Sequence, residues 1–326
     1  MTDLKDRIKS LVGEDLRSIE EALEKNLNPY YDLVSAIAGH ILFAGGKRLR
    51  PLLMVLSSRI CGYKGNYDKT FSVLFEYLHA ATLIHDDLVD GADKRRGKPA
   101  AHTTYGNPQA VLTGDFLLAR ALSLAARTGL PKVISIIAGI TEDMSQGEIQ
   151  QLENKGRLDL SEAEYMDVIF RKTAVLIRGA CQSGALIAGA NPEQEQALAS
   201  YGQAMGIAFQ MADDLLDYTA DSMSLGKDIG ADLREGKLTL PIIHALFQAN
   251  DDDRLWMETL IRKQSFDDEE FRRFTTMIDH YGGLSYTRSL AVEHVRRAKQ
   301  SLCIFPESET RQILDMLADY ALVRKA

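Results

Sequence analysis

A chain of 326 residues with 38 Lys+Arg against 46 Asp+Glu carries a formal net charge of -8, and its 45% hydrophobic content rules out global disorder. Only 8 prolines are present, which suits long uninterrupted helices better than a turn-rich β-sandwich. The acidic balance argues against a protein that coats nucleic acid through a basic footprint, and at first sight against a strongly anionic small ligand.

Helical periodicity dominates in chain order. Leu4, Ile8, Leu11, Val12, Leu16, Ile19 and Leu23 recur at three- and four-residue steps and predict an amphipathic first helix. A second helix is expected from Tyr31 to Phe43, stopped by Gly45 and Gly46, and a third from Pro51 to Ile60. Longer patterns cover Tyr67 to Asp90, Pro108 to Arg127 and Pro131 to Leu152. Ser161 with Glu164 three residues on forms a capping box that opens a helix towards Ala190. Another runs from Pro192 into MADDLLDY. Shorter helices follow over Leu240 to Gln248, Asp252 to Lys263, Asp268 to His280, Ser285 to Leu302 and Ser308 to Arg324. No alternating run bounded by hairpin turns stands out, so the expected fold is all-α, one domain over residues 1–326. Three longer loops interrupt it: Gly91 to Asn107, Glu153 to Leu160 and Thr219 to Lys237.

Cys61, Cys181 and Cys303 lie far apart without CxxC spacing, which fits neither a zinc site nor a disulfide framework and points to a reducing compartment. The charged opening MTDLKDRIKSLVGEDL lacks the apolar run of a signal peptide, and no stretch reads as the ~20 apolar residues of a membrane span. A soluble cytoplasmic chain is expected.

One motif is duplicated. A DDxxD triplet closes a long helix at Asp86, Asp87 and Asp90, and another does so at Asp213, Asp214 and Asp217. Asp86 and Asp90 fall on one helix face, as do Asp213 and Asp217, so like charges repel and the negative end of the helix dipole adds to the cost. Divalent cations offset such a cost, and Mg²⁺ takes one or two carboxylates together with waters and substrate phosphates. Two facing pairs in a helical bundle would hold a cluster of ions. Basic residues stand in neighbouring loops: Lys47, Arg48 and Arg50 in GGKRLRP, Arg95 and Arg96 in DKRRGKPAAH, Lys227 and Lys237 in GKDIGADLREGKLTLP. Guanidinium forks and lysine ammoniums are suited to phosphate oxygens. Arg48 is expected to be a solvated surface charge. Together the motifs indicate a metal-bridged diphosphate.

The series GGKRLRP, HDDLVDGADKRRGKPAAH, GDFLLARA, RKT, GIAFQMADDLLDY and GKDIGADLREGKLTLP resembles that of the trans-isoprenyl diphosphate synthases, above all their long-chain members, collinearly from Gly45 to Pro241. The resemblance implies an isoprenoid-synthase-type helical bundle around a central apolar cavity. It also implies a homodimer that condenses an allylic diphosphate with isopentenyl diphosphate, using Mg²⁺, with three ions when substrate is bound. By position, Asp86 and Asp90 match ligands of two ions and Asp213 the ligand of a third. Arg95, Lys172, Lys227 and Lys237 match the grip on the allylic diphosphate, with Thr173 and Gln210 near its departing oxygen and first carbons. Lys172, Thr173, Gln210 and Lys227 are the candidates for catalysis. Lys47, Arg50, His79 and Arg96 match the isopentenyl diphosphate pocket. Asp87, Asp214 and Asp217 are expected to act through waters and neighbouring hydrogen bonds, Phe209 as wall packing, and His102 in ordering its loop.

Counting back from Asp86 at ~1.5 Å per residue, Ala81 and Thr82 sit ~6–8 Å below the metals and Leu78 ~12 Å, on or near one helix face, with Phe75 at ~16 Å. Short-product members of the family carry bulky aromatics at the positions of Ala81 or Thr82, or extra residues in the first triplet. DDLVD has no insertion and both residues are small. The expectation is therefore a long all-trans product, about hexa- to octaprenyl, for a quinone side chain. The alternatives are a farnesyl or geranylgeranyl diphosphate synthase, a terpene cyclase, and a non-catalytic subunit of a heteromeric synthase.

Overall fold

The computed structural model describes residues 2–219 and 230–323. Lys227 and Arg324 lie outside them. Apart from one small hairpin, the described residues are helical or loop, as the periodicity predicts. The described residues fall into two compact units: 2–141, 176–202 and 302–316 in the first, and 142–175, 203–219, 230–301 and 317–323 in the second.

The first unit is built on α4 (Asp68–Val89), against which α1 (Thr2–Leu27), α3 (Leu49–Ile60) and α6 (Asn107–Arg127) pack, with α2 (Asp32–Leu42) and α5 (Ala101–Tyr105) beside α6. The apolar stripe of α1 is buried at Ile8, Val12, Ile19 and Leu23, and the buried Tyr77 hydroxyl of α4 donates to the carbonyl of Leu23 at 2.7 Å. Close approach of α4 and α6 depends on Gly114, where an added Cβ would stand 2.2 Å from His85 Nε2. Contrary to the sequence reading, α6 is long and apolar enough to cross a membrane by length and composition. Its apolar side chains are spread round the helix: Leu117, Ala121, Leu124 and Ala125 are buried inside the unit while Leu112 and Leu122 face outward.

The segment from Gly91 to Asn107, expected as a loop, contains α5 and a hairpin of β1 (Lys94–Arg95) and β2 (Lys98–Pro99). Arg96 and Gly97 between the strands both have positive φ, 52° and 75°. That is the backbone of the tight hairpin turns, which Asn-Gly or Asp-Gly usually signals. Arg at the first position hides it.

The second unit includes α8 (Glu162–Ile169), α12 (Leu240–Gln248), α13 (Asp251–Lys263), α14 (Asp268–His280) and α15 (Gly283–Ser301), the last packing on α12 and α14. Ile242, Ala245, Phe274 and Ile278 centre its core. The remaining helices are α7 (Pro131–Asn154), α9 (Val175–Ile187), α10 (Pro192–Thr219), α11 (Ala231–Arg234) and α16 (Glu309–Val323). The Ser161 capping box forms as predicted: Ser161 Oγ accepts from the Glu164 amide, and the Glu164 carboxylate accepts from the Ser161 amide. The helix it opens is not regular to Ala190. Phe170–Ala174 forms a π-helical turn between α8 and α9, a distortion that costs regular hydrogen bonding and recurs where side chains must be re-aimed. Two glycines admit it. A Cβ on Gly147 of α7 would lie 2.7 Å from Arg171 Cβ, and one on Gly206 of α10 would lie 2.6 Å from Ala174 Cα.

Candidate active site

In the first unit, the first triplet ends α4, where the Asp90 amide donates to the Asp86 carbonyl at 2.8 Å. Its three carboxylates differ in surroundings. Asp86 is half-buried and Asp90 exposed, while Asp87 is fully buried. Asp87 Oδ1 accepts from Arg95 Nε at 2.7 Å and also from Arg95 Nη2. Arg95, matched by position to the diphosphate grip, is thus committed to Asp87 in this structure. The salt bridge ties the hairpin back onto the helix that carries the triplet.

The segment Gly45–Arg50 leads into α3. Arg48 is 5% exposed and sits at φ 47°, so the expectation of a solvated charge fails. Its guanidinium donates to Glu20 at 2.6 and 3.1 Å, to Glu76 at 2.9 Å and to the carbonyl of Leu42 at 2.6 Å. Withdrawal from water acts to lower its pKa, but the Glu20 and Glu76 carboxylates outweigh that and raise it. Arg48 is the anchor of this segment. It leaves Lys47 on the exposed side and Arg50 half-buried. His79 of α4 is held well below the usual imidazole range, first by desolvation and then by the guanidiniums of Arg50, Arg96, Arg95 and Arg48. The structure therefore brings His79, Arg50 and Arg96 into one cationic neighbourhood in which the imidazole stays neutral. Such a gathering of guanidiniums beside one imidazole is suited to an anionic ligand.

Along the same helix, Leu78 and Ala81 are 1% and 0% exposed, and the half-buried Thr82 donates its hydroxyl to the His79 carbonyl at 2.9 Å. His102 is half-buried on α5. None of the three cysteines is in a disulfide, and burial pushes the Cys61 thiol up to about 11 and the Cys181 thiol up to about 12, so these two are not poised as nucleophiles.

In the second unit, Lys172 and Thr173 stand on the π turn and Gln210 on α10, and together with Lys237 and Tyr165 they line one cavity. Thr173 donates to Gln210 Oε1 at 2.9 Å. Lys172 is paired with Glu148 at 2.5 Å, and Lys237 with Asp232 at 3.0 Å and Asp214 at 4.0 Å. Burial acts to lower the Lys237 pKa, but Asp232 and Asp214 together raise it far above the usual lysine range, so it stays charged. The second triplet repeats the pattern of the first. Asp213 is exposed while Asp214 is 2% exposed, accepting from Tyr165 at 2.6 Å and from Gln210 at 2.8 Å. Burial pushes the Asp214 carboxyl up to about 6 against the pull of Lys237. Asp217 accepts from the amides of Ala231 and Asp232 at 3.3 and 3.2 Å; burial, with nearby Asp232 second, pushes it up to about 6.

Sequence reasoning missed Glu20, Glu76, Glu148, Tyr165 and Asp232, all partners of site residues. Glu148, one helical turn before Leu152 in a charged stretch of α7, carries no signal beyond its charge. Tyr165, seven residues before Lys172, is visible only as an apolar-face aromatic.

The described residues contain no ready-made group of three or more His, Cys, Asp or Glu side chains able to hold a metal. The half-buried carboxylate of Asp86 and the exposed ones of Asp90 and Asp213 instead offer sparse oxygen donors, which suits a hydrated hard cation that completes its shell with water and phosphate oxygens. An all-α chain with two such helix ends, a cationic neighbourhood around a neutral histidine and a largely apolar cavity edged by two lysines has the equipment of a transferase acting on diphosphate esters.

The Polyprenyl synthetase family model matches residues 31–278. The octaprenyl diphosphate synthase of Escherichia coli (strain K12) is 38% identical over 98% of this chain and 98% of its own. A short chain isoprenyl diphosphate synthase of Methanothermobacter thermautotrophicus is 37% identical over 88% of this chain and 89% of its own. A polyprenyl synthase of Caulobacter crescentus, solved with calcium and isoprenyl diphosphate, superposes with a TM-score of 0.92 at 38% identity over 98% of both chains. The chain belongs to the polyprenyl synthetase family. It is a prenyltransferase, a trans-prenyl diphosphate synthase.

Proposed function

We propose that this enzyme extends an allylic diphosphate with isopentenyl diphosphate to a long all-trans polyprenyl diphosphate, about hexa- to octaprenyl, that serves as a quinone side chain. The observation that carries the length is the pair of small residues Ala81 and Thr82 within two turns of Asp86, with no insertion in DDLVD. Relatives of similar identity make both long and short products by name, so the wall residues and not overall likeness carry this reading. The family match runs through residues of both compact units, which supports one polyprenyl synthase domain over residues 1–326.

In this reading Asp86 and Asp90 hold two Mg²⁺ ions and Asp213 a third, and the bound ions supply charge neutralisation for the departing diphosphate. The buried partners Asp87 and Asp214 orient Arg95, Gln210 and Tyr165, consistent with their hydrogen bonds. Lys172, Lys237 and Lys227 neutralise the allylic diphosphate, with Arg95 joining them if it leaves Asp87. Lys47, Arg50 and Arg96 bind the diphosphate of isopentenyl diphosphate, and the neutral His79 adds a hydrogen bond. The allylic C–O bond breaks, the π-bond of isopentenyl diphosphate forms the new C–C bond, and the proton lost from the adjacent carbon passes to the released diphosphate. Thr173 and Gln210 line the path of the allylic carbons, and apolar walls exclude the water that would quench the cation.

A homodimer fits the outward apolar side chains of α6, with Leu112 at 66% and Leu122 at 39% exposure. Three cysteines outside any disulfide fit a cytoplasmic setting.

The Ala81→Phe substitution tests the length assignment. Chain growth is expected to stop at least two isoprene units earlier, read by reversed-phase chromatography of the dephosphorylated products. An unchanged product distribution from a folded variant would show that Ala81 does not line the growing chain.

A further inference from the structure

We propose that Tyr165 is a positioning residue for the allylic half of the reaction, acting through Asp214 and Gln210 on the hydroxyl of Thr173. The inference rests on the reading of Thr173 and Gln210 as residues beside the reacting allylic carbons. Four side chains form one hydrogen-bonded series. Tyr165 donates to Asp214 Oδ2 at 2.6 Å, Gln210 Nε2 donates to Asp214 Oδ1 at 2.8 Å, and Thr173 Oγ1 donates to Gln210 Oε1 at 2.9 Å. Tyr165 is 3% exposed and Asp214 2%, while Thr173 and Gln210 line the cavity with Lys172 and Lys237.

The polarity of this series is set by its buried member. An ionised carboxylate only accepts, so both Tyr165 and Gln210 must donate to it. The Gln210 amide can then face Asp214 only with its nitrogen, which turns its oxygen to Thr173. Thr173 in turn commits its proton to Gln210 and presents oxygen lone pairs to the cavity. A hydroxyl so oriented favours an electron-poor carbon over a phosphate oxygen, which would demand the proton. Tyr165 reaches none of the reacting atoms in this scheme. It pins one carboxylate oxygen so that the other stays aimed at Gln210.

A purely structural tyrosine would not behave this way. Its loss would lower stability and add independently to any defect at Thr173, whereas residues in one series are coupled. The test is a double-mutant cycle of Tyr165→Phe and Thr173→Ala, with steady-state constants for both substrates and the unfolding midpoint of each variant. Phenylalanine keeps the ring in its buried site. Tyr165→Phe is expected to lower kcat on the order of tenfold, the scale of one hydrogen bond to a charged group, with the KM for isopentenyl diphosphate unchanged. Thr173→Ala is expected to lower kcat by at least as much, and the double variant is expected to be no slower than Thr173→Ala alone.

Asp214→Asn is the second variant, since it keeps the volume, removes the buried charge and cuts the same series one bond further on. It too is expected to be non-additive with Thr173→Ala. Fully additive losses in both cycles, or an unchanged kcat in a folded Tyr165→Phe, overturn the positioning role while leaving Thr173 in the site. An unchanged kcat in Thr173→Ala overturns the site assignment and with it this proposal.

Discussion

Replacing Asp86 with alanine is expected to lower kcat on the order of 10³-fold while the unfolding midpoint stays close to wild type, the loss of transition-state charge stabilisation being several kcal/mol. The two halves of that expectation come from the same position. Asp86 is half-buried at the C-terminal end of α4, one turn from Asp90 and beside the fully buried Asp87. Three carboxylates crowd the negative end of a helix dipole, so the helix itself does not require Asp86. Asp87 is the contrasting control. It holds Arg95 through the salt bridge to the hairpin, and its removal leaves a partly buried guanidinium unpaired, so Asp87→Ala is expected to destabilise as well as to slow the enzyme. Kinetics and thermal unfolding of both variants separate the roles. Unchanged turnover in Asp86→Ala would show that this carboxylate does not bind the catalytic cation.

The second large effect concerns stability. Arg48→Ala is expected to cost about 3–5 kcal/mol, because breaking a buried ion pair strands its partners. Glu20 keeps 43% of its side chain exposed and regains water readily, whereas the Glu76 side chain is 9% exposed and does not. Most of the loss therefore sits at Glu76, and adding Glu76→Leu to an Arg48→Leu variant is expected to recover a large part of it. Arg48 also bonds the Leu42 carbonyl and so holds the turn that presents Lys47 and Arg50. The surviving folded fraction of Arg48→Ala should show a raised KM for isopentenyl diphosphate. Denaturant unfolding read by circular dichroism measures the first effect and initial rates the second. A loss below about 1 kcal/mol would contradict the anchor role, since that is the scale of an exposed pair.

Arg48 also shows where sequence reading reaches its limit. Its partners lie 28 residues away on either side, and no local pattern joins Glu20, Arg48 and Glu76. Periodicity alone read the helices, because each buries a stripe against neighbours without needing their identity. The capping box at Ser161 and the triplet at the end of α4 were equally legible, being written within four or five residues. The π turn was not. It depends on Gly147 and Gly206 approaching Phe170–Ala174 from two other helices, and the local sequence FRKTA reads as ordinary helix. The hairpin at Arg96 was hidden by an arginine in a backbone region that favours glycine.

Among the site residues, the motif spacing found those that carry charge into the loops and helix ends. It missed those that hold them, Glu148 on Lys172 and Asp232 on Lys237, because a supporting acid has no required distance along the chain. The net charge of -8 misleads for a related reason: a net sum over the chain says nothing of the local cationic cluster around His79 or of carboxylates suited to cations.

The most direct test is the product made by the purified wild-type enzyme from farnesyl diphosphate, excess isopentenyl diphosphate and Mg²⁺, separated by chain length after dephosphorylation. The account predicts all-trans products of about six to eight isoprene units, formed only when isopentenyl diphosphate is supplied, as addition through the wall residues Ala81 and Thr82 requires. Products confined to 15 or 20 carbons, or a hydrocarbon released without isopentenyl diphosphate, would contradict it.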